Sequence, residues 1–444
     1  MEGAKLGEVA VVGGGIAGIQ AALDLADTGF KVYLIERSPS IGGRMAQLDK
    51  TFPTLDCASC ILTPKMAEVL RKDNIELLTL AEVVDVIKNG NKFKLTIKQR
   101  PRYVDTNKCT GCGTCVEKCT ARGKLGAPDE FNEGLGTRTA VYIPFPQAVP
   151  KKAVIDPNIC LRLRYKRGCG ICEKVCPANA INFNDTEKIL NLTVDAVIVA
   201  TGYKFIDPRL PELSIYGYGK YPEVYTNIEF ERILDARGPT GGALIKKDGS
   251  HPERIVFIQC VGSRHYKINP YCSAYCCMAS IKQAILAKEH EPRVDVTILY
   301  MDIRAYGKGF QDFYNRAKNE YGIRFIKGRT TGIIEDLSKK KLIVKYEDVL
   351  RGTIETMETD MVVLALGIVP NIPSFLNKLG IVRNGRVIIR SEDPISTYVD
   401  GIFVIGAALN PTDIPDAVLQ GSAAAARVTE YVLRRKTPFK VMRS

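Results

Sequence analysis

The stretch that decides the fold is Val9-Ala-Val-Val12 followed at once by Gly13-Gly14-Gly15-Ile-Ala17-Gly18, then by Lys31-Val-Tyr-Leu-Ile-Glu36. A short apolar run of buried-strand type meets a glycine-rich turn. The turn opens a helical pattern at Ile19, Ala22, Leu23, Leu25 and Ala26 that stops at Gly29. A second apolar strand ends in Glu36. This is a β-α-β unit with the dinucleotide fingerprint. Gly13 makes the tight turn, and the next glycines let backbone N–H groups approach a pyrophosphate. Gly18 lets the helix pack on the strand, so that the helix N-terminus faces the anion. Glu36, 23 residues after Gly13, stands where a carboxylate can take both ribose hydroxyls. The competing reading is a tight strand–helix turn with no ligand.

Working outward, Ser38-Pro-Ser-Ile-Gly-Gly43-Arg44-Met resembles the extension after the acidic residue in the two-dinucleotide flavoprotein superfamily. Val194-Asp-Ala-Val-Ile-Val-Ala-Thr201-Gly202 resembles its first "ATG" strand, and Asp360-Met-Val-Val-Leu-Ala-Leu-Gly367 its second. Gly401-Ile-Phe-Val-Ile-Gly406-Ala407 resembles its C-terminal flavin-contacting strand, followed by a helix over 417–433 that contains Gln420. The resemblance implies FAD, held by Gly13, Gly14, Gly15, Ala17, Gly18, Glu36, Arg37, Gly43, Arg44, Thr201, Gly202, Gly406, Ala407 and Gln420. Ala407 stands where the superfamily usually has Asp, so that contact to the ribityl chain must be made otherwise.

Phe93-Lys-Leu-Thr-Ile-Lys98 alternates apolar and polar residues as a strand does, and the chain then leaves for about ninety residues. The detour holds Cys109-x2-Cys112-x2-Cys115-x3-Cys119 and Cys160-x8-Cys169-x2-Cys172-x3-Cys176-Pro177. Two such runs are the signature of a two-cluster ferredoxin, in which the fourth cysteine of each run crosses to the other cluster. One [4Fe-4S] set is therefore Cys109, Cys112, Cys115 and Cys176, and the other is Cys160, Cys169, Cys172 and Cys119. A zinc ribbon is the structural alternative. The x8 interval and Thr120, where Pro is usual, are modest departures that bear on loop shape.

Ile255-Val-Phe-Ile258 opens a second Rossmann-like unit, but its turn reads Gln259-Cys260-Val-Gly-Ser-Arg264 and lacks the glycine triplet. Cys260, Cys272, Cys276 and Cys277 lie across this disabled nucleotide turn and lead into a helix over 278–288. They read as a third [4Fe-4S] site, against the alternative of buried thiols with one transient disulfide. Adjacent cysteines bridging each other would be strained. Cys57 and Cys60, at x2 spacing, are a redox dithiol or half of a metal site. A pair is too few for a cluster of its own.

The Cys57-Ala-Ser-Cys-Ile-Leu-Thr-Pro-Lys-Met loop, the inserted ferredoxin and Phe257-Ile-Gln-Cys-Val-Gly-Ser-Arg264 together resemble the A-type iron–sulfur subunit of heterodisulfide reductase. Tyr271-Cys-Ser-Ala-Tyr-Cys-Cys-Met278 and Asn410-Pro-Thr-Asp-Ile-Pro-Asp416 add to the resemblance. It implies FAD, several [4Fe-4S] clusters and, in long members, division of an electron pair between a ferredoxin path and a disulfide path. Long members carry extra domains at both ends, and this sequence is similar to a short form. The expected partners are other subunits of such a complex, ferredoxin or another electron carrier, and a second copy in a homodimer. Cys57 and Cys60 are then expected to hold a fourth cluster completed in trans.

The expected fold is α/β: a thioredoxin-reductase-like, two-dinucleotide-binding-domain flavoprotein with an inserted two-[4Fe-4S] ferredoxin domain. The expected boundaries are 1–100, 191–245 and 361–444 for the FAD domain, 101–190 for the insertion and 246–360 for the nucleotide-like domain. Composition agrees with a globular chain: of 444 residues 45% are hydrophobic and 25% charged. No apolar run reaches the ~18 residues of a membrane span. Without a secretory pattern at its start the chain is expected in the cytoplasm, where fourteen cysteines serve metals rather than disulfides.

The formal charge of +13 is spread along the chain without a Lys/Arg-rich block, and no nucleic-acid role is expected. Three clusters and a flavin at about −2 each would lower it to roughly +5. His251, His265 and His290 have no motif context, and no acid–base catalytic residue is expected. The leading function is electron transfer between flavin and clusters. The alternatives are an NAD(P)H oxidoreductase resembling the glutamate synthase small subunit and a cluster-bearing scaffold with a structural flavin.

Overall fold

The computed structural model describes residues 6–166 and 168–436. Residues 1–5, part of the stretch read for a secretory leader, and the tail 437–444 lie outside them. The chain divides into two units: residues 1–46, 59–203 and 370–444 form the first, residues 47–58 and 204–369 the second.

The first unit is built on a five-stranded parallel sheet in the order Ile402–Val404, Ala196–Val199, Glu8–Val12, Lys31–Glu36, Ile75–Thr79. Ala196–Val199 and its central neighbor Glu8–Val12 are almost wholly buried, as the apolar runs require of a parallel sheet covered on both faces. Helix Ile16–Asp27 packs on the long helix Ile414–Lys436 so closely that a Cβ at Gly421 would meet the Ala17 carbonyl at 2.7 Å.

A second, antiparallel sheet carries Ala81–Asn89, Lys92–Gln99 and Lys188–Val194. Its register pairs Lys188 with Gln99. The chain therefore leaves the flavin fold and returns to it at neighboring rungs of one ladder, which lets the intervening residues form a body of their own. That body has its own core, in which Val104, Val141, Ile155 and Ala180 pack with Cys115, Cys119, Cys160 and Cys172.

The second unit has a seven-stranded sheet: Val224–Thr226, Met361–Leu366, Arg254–Val261, Asp295–Tyr300, Arg324–Asp336, Lys341–Asp348, Thr353–Thr359. The first five strands run parallel, and the last two fold back antiparallel. Helices Asn227–Leu234 and Cys276–His290 hold the segment 47–58 through buried charges. The Glu231 carboxylate accepts from Lys282 Nζ at 2.5 Å and from the Asp49 N–H at 3.0 Å. Arg232, fully buried, donates to the Gln47 carbonyl and to Asp235, both at 2.7 Å.

These units correct the expected boundaries. Residues 204–245 and 361–369 belong with the nucleotide-like unit, because Val224–Thr226 and Met361–Leu366 are neighbors in its sheet. The second "ATG" strand thus does not open the last part of the FAD domain, which begins at Pro370. Segment 47–58 also leaves the FAD domain for the second unit.

Candidate functional site

The fingerprint glycines divide their work as the expected chemistry asks. Gly13 has φ +111°, a region that disfavors other residues, and a Cβ there would lie 2.4 Å from the Ala200 carbonyl. A Cβ at Gly18 would sit 1.9 Å from the Gly13 carbonyl, so the helix lies directly against the strand. At Gly15 a Cβ would meet nothing within 4 Å, and the helix it caps has no side-chain cap. Its first N–H groups are left for an outside acceptor, which is what a pyrophosphate needs. The Glu36 carboxylate accepts from the N–H groups of Gly14 at 2.8 Å and Ser38 at 2.7 Å. A carboxylate offers about four acceptor positions, so capacity remains for ribose hydroxyls. These residues fit FAD.

The outlying flavin residues are also held. Gln420 Oε1 accepts from the Gly406 N–H at 2.7 Å, and buried Ala407 follows it. Thr201 Oγ1 donates to the Asn371 carbonyl at 2.6 Å, while the Asn371 N–H donates to the Gly202 carbonyl at 2.9 Å. The Arg37 carbonyl accepts from Arg100 at 2.7 Å. A Cβ on Gly43 would lie 2.9 Å from Gly15 Cα, and the Gly42 N–H donates to the Gly14 carbonyl at 2.8 Å, so the Gly-Gly-Arg segment abuts the fingerprint. Arg44 pairs with Glu133 of the insertion at 2.5 Å.

The eight insertion cysteines fall into two sets. Cys109, Cys112, Cys115 and Cys176 line one cavity of about 360 Å3, counting its open mouth, with Val104 and Ala180. Cys119, Cys160, Cys169 and Cys172 line a second of about 320 Å3 with Leu161, Ile171 and Phe183. Each run lends its fourth cysteine to the other cavity, as the spacing requires. The Ala180 N–H donates to Cys176 Sγ at 3.3 Å, and Thr120 puts its hydroxyl 3.6 Å from Cys169 Sγ.

Burial, reinforced by neighboring thiols, pushes Cys115 up to about 11 and Cys172 up to about 12. Four thiols so placed ionize together only with cationic charge among them. Among the described residues no three of the His, Cys, Asp and Glu side chains converge closely enough for a single metal ion. The crossing of two runs of four, each fourth cysteine lining the other run's cavity, is the two-cluster pattern.

In the second unit the strand Arg254–Val261 breaks register between Ile258 and Val261, and Cys260 takes φ +62°. The bulge turns Cys260 out of the ladder, toward Cys272, Cys276 and Cys277. Burial chiefly, then Cys277, pushes the Cys260 thiol up to about 12. Cys276 hydrogen-bonds to Cys277, which brings Cys277 down to about 7 and sends Cys276, fully buried, well up. The Ala274 N–H donates to Cys272 Sγ at 3.3 Å, and Arg264 lies between Asp302 and Cys260. Gln259, 7% exposed, has both amide atoms buried without a hydrogen-bond partner. Four thiols and an unspent amide donor fit a cluster better than a packed core.

Cys57 and Cys60 are disulfide-bonded, the oxidized form of a dithiol. Sequence reasoning missed Arg102, Asn371 and the Ser40–Val149 contact, all set by distant pairings that leave no local pattern. Arg102, 6% exposed, donates to the Pro39 carbonyl at 2.7 Å and Thr79 Oγ1 at 2.8 Å, and burial brings it down to about 10.

Fold and sites together define a flavin oxidoreductase of the two-dinucleotide-binding-domain type with an inserted ferredoxin. Residues 8–55 match the FAD dependent oxidoreductase family, and residues 276–421 the pyridine nucleotide-disulphide oxidoreductase family. Residues 102–121 and 152–181 each match a 4Fe-4S binding domain. The thioredoxin reductase of Lactococcus lactis shares the fold at TM-score 0.54 and 17% identity, over 96% of this chain and 99% of that one.

The chain belongs to the family of A-type iron–sulfur subunits of heterodisulfide reductase. It is 48% identical over 427 residues to the A-type "CoB--CoM heterodisulfide reductase iron-sulfur subunit" of Methanocaldococcus jannaschii, covering 94% of this chain and 63% of that protein. It is equally similar to the corresponding subunit of the "H(2):CoB-CoM heterodisulfide,ferredoxin reductase" of Methanothermobacter marburgensis, covering 94% and 62%. The chain thus spans somewhat less than two thirds of these relatives' length. No helix among the described residues is long and apolar enough to cross a membrane.

Proposed function

We propose that the chain is an electron-transfer component of a heterodisulfide-reductase-like complex, converting between paired flavin electrons and single electrons carried by clusters. When bound, flavin supplies two-electron exchange and each cluster one-electron exchange. The chain's own residues hold these groups in order. The observation that carries the reading is the seating of the insertion on the flavin cradle: Val149 bonds Ile41, Arg102 bonds Pro39 and Thr79, and Arg44 pairs with Glu133. A ferredoxin body so fixed has a direct route to the flavin. The Cys260 set adds a third cluster in place of a nucleotide, so NADPH has no fingerprint to bind in the second unit.

The reading extends to partners. The relatives are named as subunits, one of them for a ferredoxin activity. Division of the electron pair between a ferredoxin and a disulfide path belongs to such a complex. With reduced flavin as the two-electron donor and two protons taken up, the Cys57–Cys60 disulfide would open to two thiols. Once deprotonated, these and two cysteines of a partner chain would hold a fourth cluster assembled from supplied iron and sulfide. The test is anaerobic reconstitution followed by photoreduction of the flavin. Expected are one FAD, about twelve irons per isolated chain and reduced-cluster signals on illumination. Loaded clusters that stay oxidized beside a reduced flavin sink the reading. Native complex with no more iron per chain than the isolated protein removes the fourth cluster.

A further inference from the structure

Glu133 holds a conformation that its residue type does not favor. Its φ is +54°, in the left-handed region where glycine is at ease and where asparagine or aspartate can bond locally. The loop around it is closed on itself. The Asp129 N–H donates to the Gly136 carbonyl at 2.9 Å, and the Gly134 N–H to the Asp129 carbonyl at 2.8 Å. Phe131 stacks on Phe145 with ring centers 4.7 Å apart. Glu130 pairs with Arg138, Arg138 pairs with Asp156 at 2.8 Å, and the Asp156 carbonyl accepts from the Cys160 N–H at 3.0 Å. The loop is thus fixed to the body that carries the cysteines. Strain kept at one residue of a rigid loop points to a use for its side chain.

That side chain reaches out of the insertion. Its carboxylate accepts from Arg44 Nη1 at 2.5 Å. Arg44 follows Gly43, whose Cβ would lie 2.9 Å from Gly15 Cα, beside the uncapped start of helix Ile16–Asp27. An anion seated at that helix start is within reach of an arginine one residue removed from the contact. The two side chains are 37% and 23% exposed, so the pair adds little to stability by itself. What it does is fix a long side chain in advance. An arginine loses rotamer freedom when it binds a ligand, and a partner that holds it beforehand removes that loss.

We infer that Glu133 is a positioning residue of the flavin site: it holds Arg44 ready for the pyrophosphate of FAD, and it couples FAD binding to the fold of the insertion. The inference goes beyond the electron-transfer function, which needs only that flavin and clusters both bind. Coupling of this kind is reciprocal, so FAD tightens the loop in turn. The opposite arrangement, with Glu133 drawing Arg44 away from the ligand, would make its removal a gain in affinity.

The test uses the whole chain reconstituted with iron and sulfide, stripped of flavin and titrated with FAD. Glu133→Gly suits the left-handed backbone. It should keep the iron content and a melting temperature no lower than the parent's, while weakening FAD about tenfold. Glu133→Gln keeps an acceptor at the same reach and should recover most of that affinity. Glu187→Gln, which removes an exposed carboxylate paired with Lys98, should bind FAD like the parent. Arg44→Ala should weaken FAD at least as much as Glu133→Gly, and the double variant should lose nothing more. In the parent FAD should slow hydrogen exchange at the Asp129 and Gly134 amides, and in Arg44→Ala it should not. Unchanged or tighter FAD binding by Glu133→Gly with its clusters loaded overturns the inference, and so do losses that add in the double variant. The electron-transfer function stands in either case. A parent that takes up iron but no FAD counts against that function instead.

Discussion

The N–H of Ile41 donates to the carbonyl of Val149 at 3.0 Å, and the Val149 N–H donates back to Ser40 Oγ at 2.8 Å. Ile41 also fills the space beside Gly14, where an added Cβ would meet its side chain at 2.5 Å. One residue of the flavin cradle therefore touches both the nucleotide fingerprint and the linker between the two cysteine runs. The ferredoxin body is registered to the flavin cradle through its backbone, as one strand is to the next.

Ser40→Ala tests that registration. Ser40 is 5% exposed, and its loss leaves a buried N–H without an acceptor, a cost of about 1–3 kcal/mol. The expected outcome is normal FAD and iron content with slower reduction of the clusters by flavin, read by freeze-quench spectroscopy. Unchanged kinetics would mean that the Ile41–Val149 bond, Arg102 and the Arg44–Glu133 pair hold the insertion in place without Ser40.

Gly15→Ala and Gly18→Ala separate binding from folding. The first adds a methyl in open space and should leave the melting temperature within a few degrees of the parent, while weakening FAD at least tenfold. The second drives a methyl into the Gly13 carbonyl and should yield little folded protein. FAD retention by Gly15→Ala would place the pyrophosphate elsewhere.

Asp235 gives the second unit a dependence on acid. Burial raises its carboxyl, but hydrogen bonds from the Arg237 side chain and N–H, with the charge of Arg232, hold it below the usual range. A depressed folded value adds stability above the unfolded value near about 4, and that stability is lost as pH falls through the folded value. Urea unfolding between pH 7 and pH 3 should show this loss. Asp235→Asn should flatten it while lowering stability at pH 7, since Arg232 then lies buried without its carboxylate.

What the sequence makes legible is local. The Gly13–Gly18 turn, Glu36 and the crossed cysteine sets follow from spacings under some seventy residues, and the structure brings the residues of each together. What it hides is long-range pairing. Val224 against Val362 moves residues 204–245 into the second unit, and nothing in either short apolar strand names its neighbor. The two "ATG" strands read alike yet lie in different sheets, because a buried parallel strand carries the same Val-rich code wherever it sits. Segment 47–58 changes units through the buried charges of Glu231, Arg232 and Lys282, which look like solvated helix residues until their partners are seen.

The crossing of the cysteine runs predicts an exchange of phenotypes. Cys176→Ala should empty the cluster whose other ligands lie in the first run, and Cys119→Ala the one whose other ligands lie in the second. Each should lose about four irons. The segment bonded to Ile41 through Val149 runs on to Lys151, whose carbonyl lies 2.3 Å from where a Gly111 Cβ would stand. The Cys109 set is therefore nearer the flavin cradle, and Cys176→Ala should also cut the Cys119-set cluster off from photoreduced flavin. Cys119→Ala should leave flavin-to-cluster transfer intact at the remaining center. Electron paramagnetic resonance on the two variants reads this directly, and identical spectra would refute the assignment.

Gln259 offers a test of the third thiol set that does not depend on turnover. Gln259, 7% exposed, lies inside the register break between Ile258 and Val261, next to Cys260 in the chain. Both of its amide atoms are buried and unpartnered. In cluster-free protein such a group is a net loss, so Gln259→Leu should raise stability by about 1–3 kcal/mol in denaturant titrations. If the amide N–H reaches a sulfide of a bound cluster, a hydrogen bond of that kind would favor the reduced, more negative cluster. The same substitution should then cancel the stability gain and lower the midpoint potential of one cluster, leaving the two insertion clusters and the iron count unchanged. An equal gain in stability with and without iron would show that no cluster sits at Cys260.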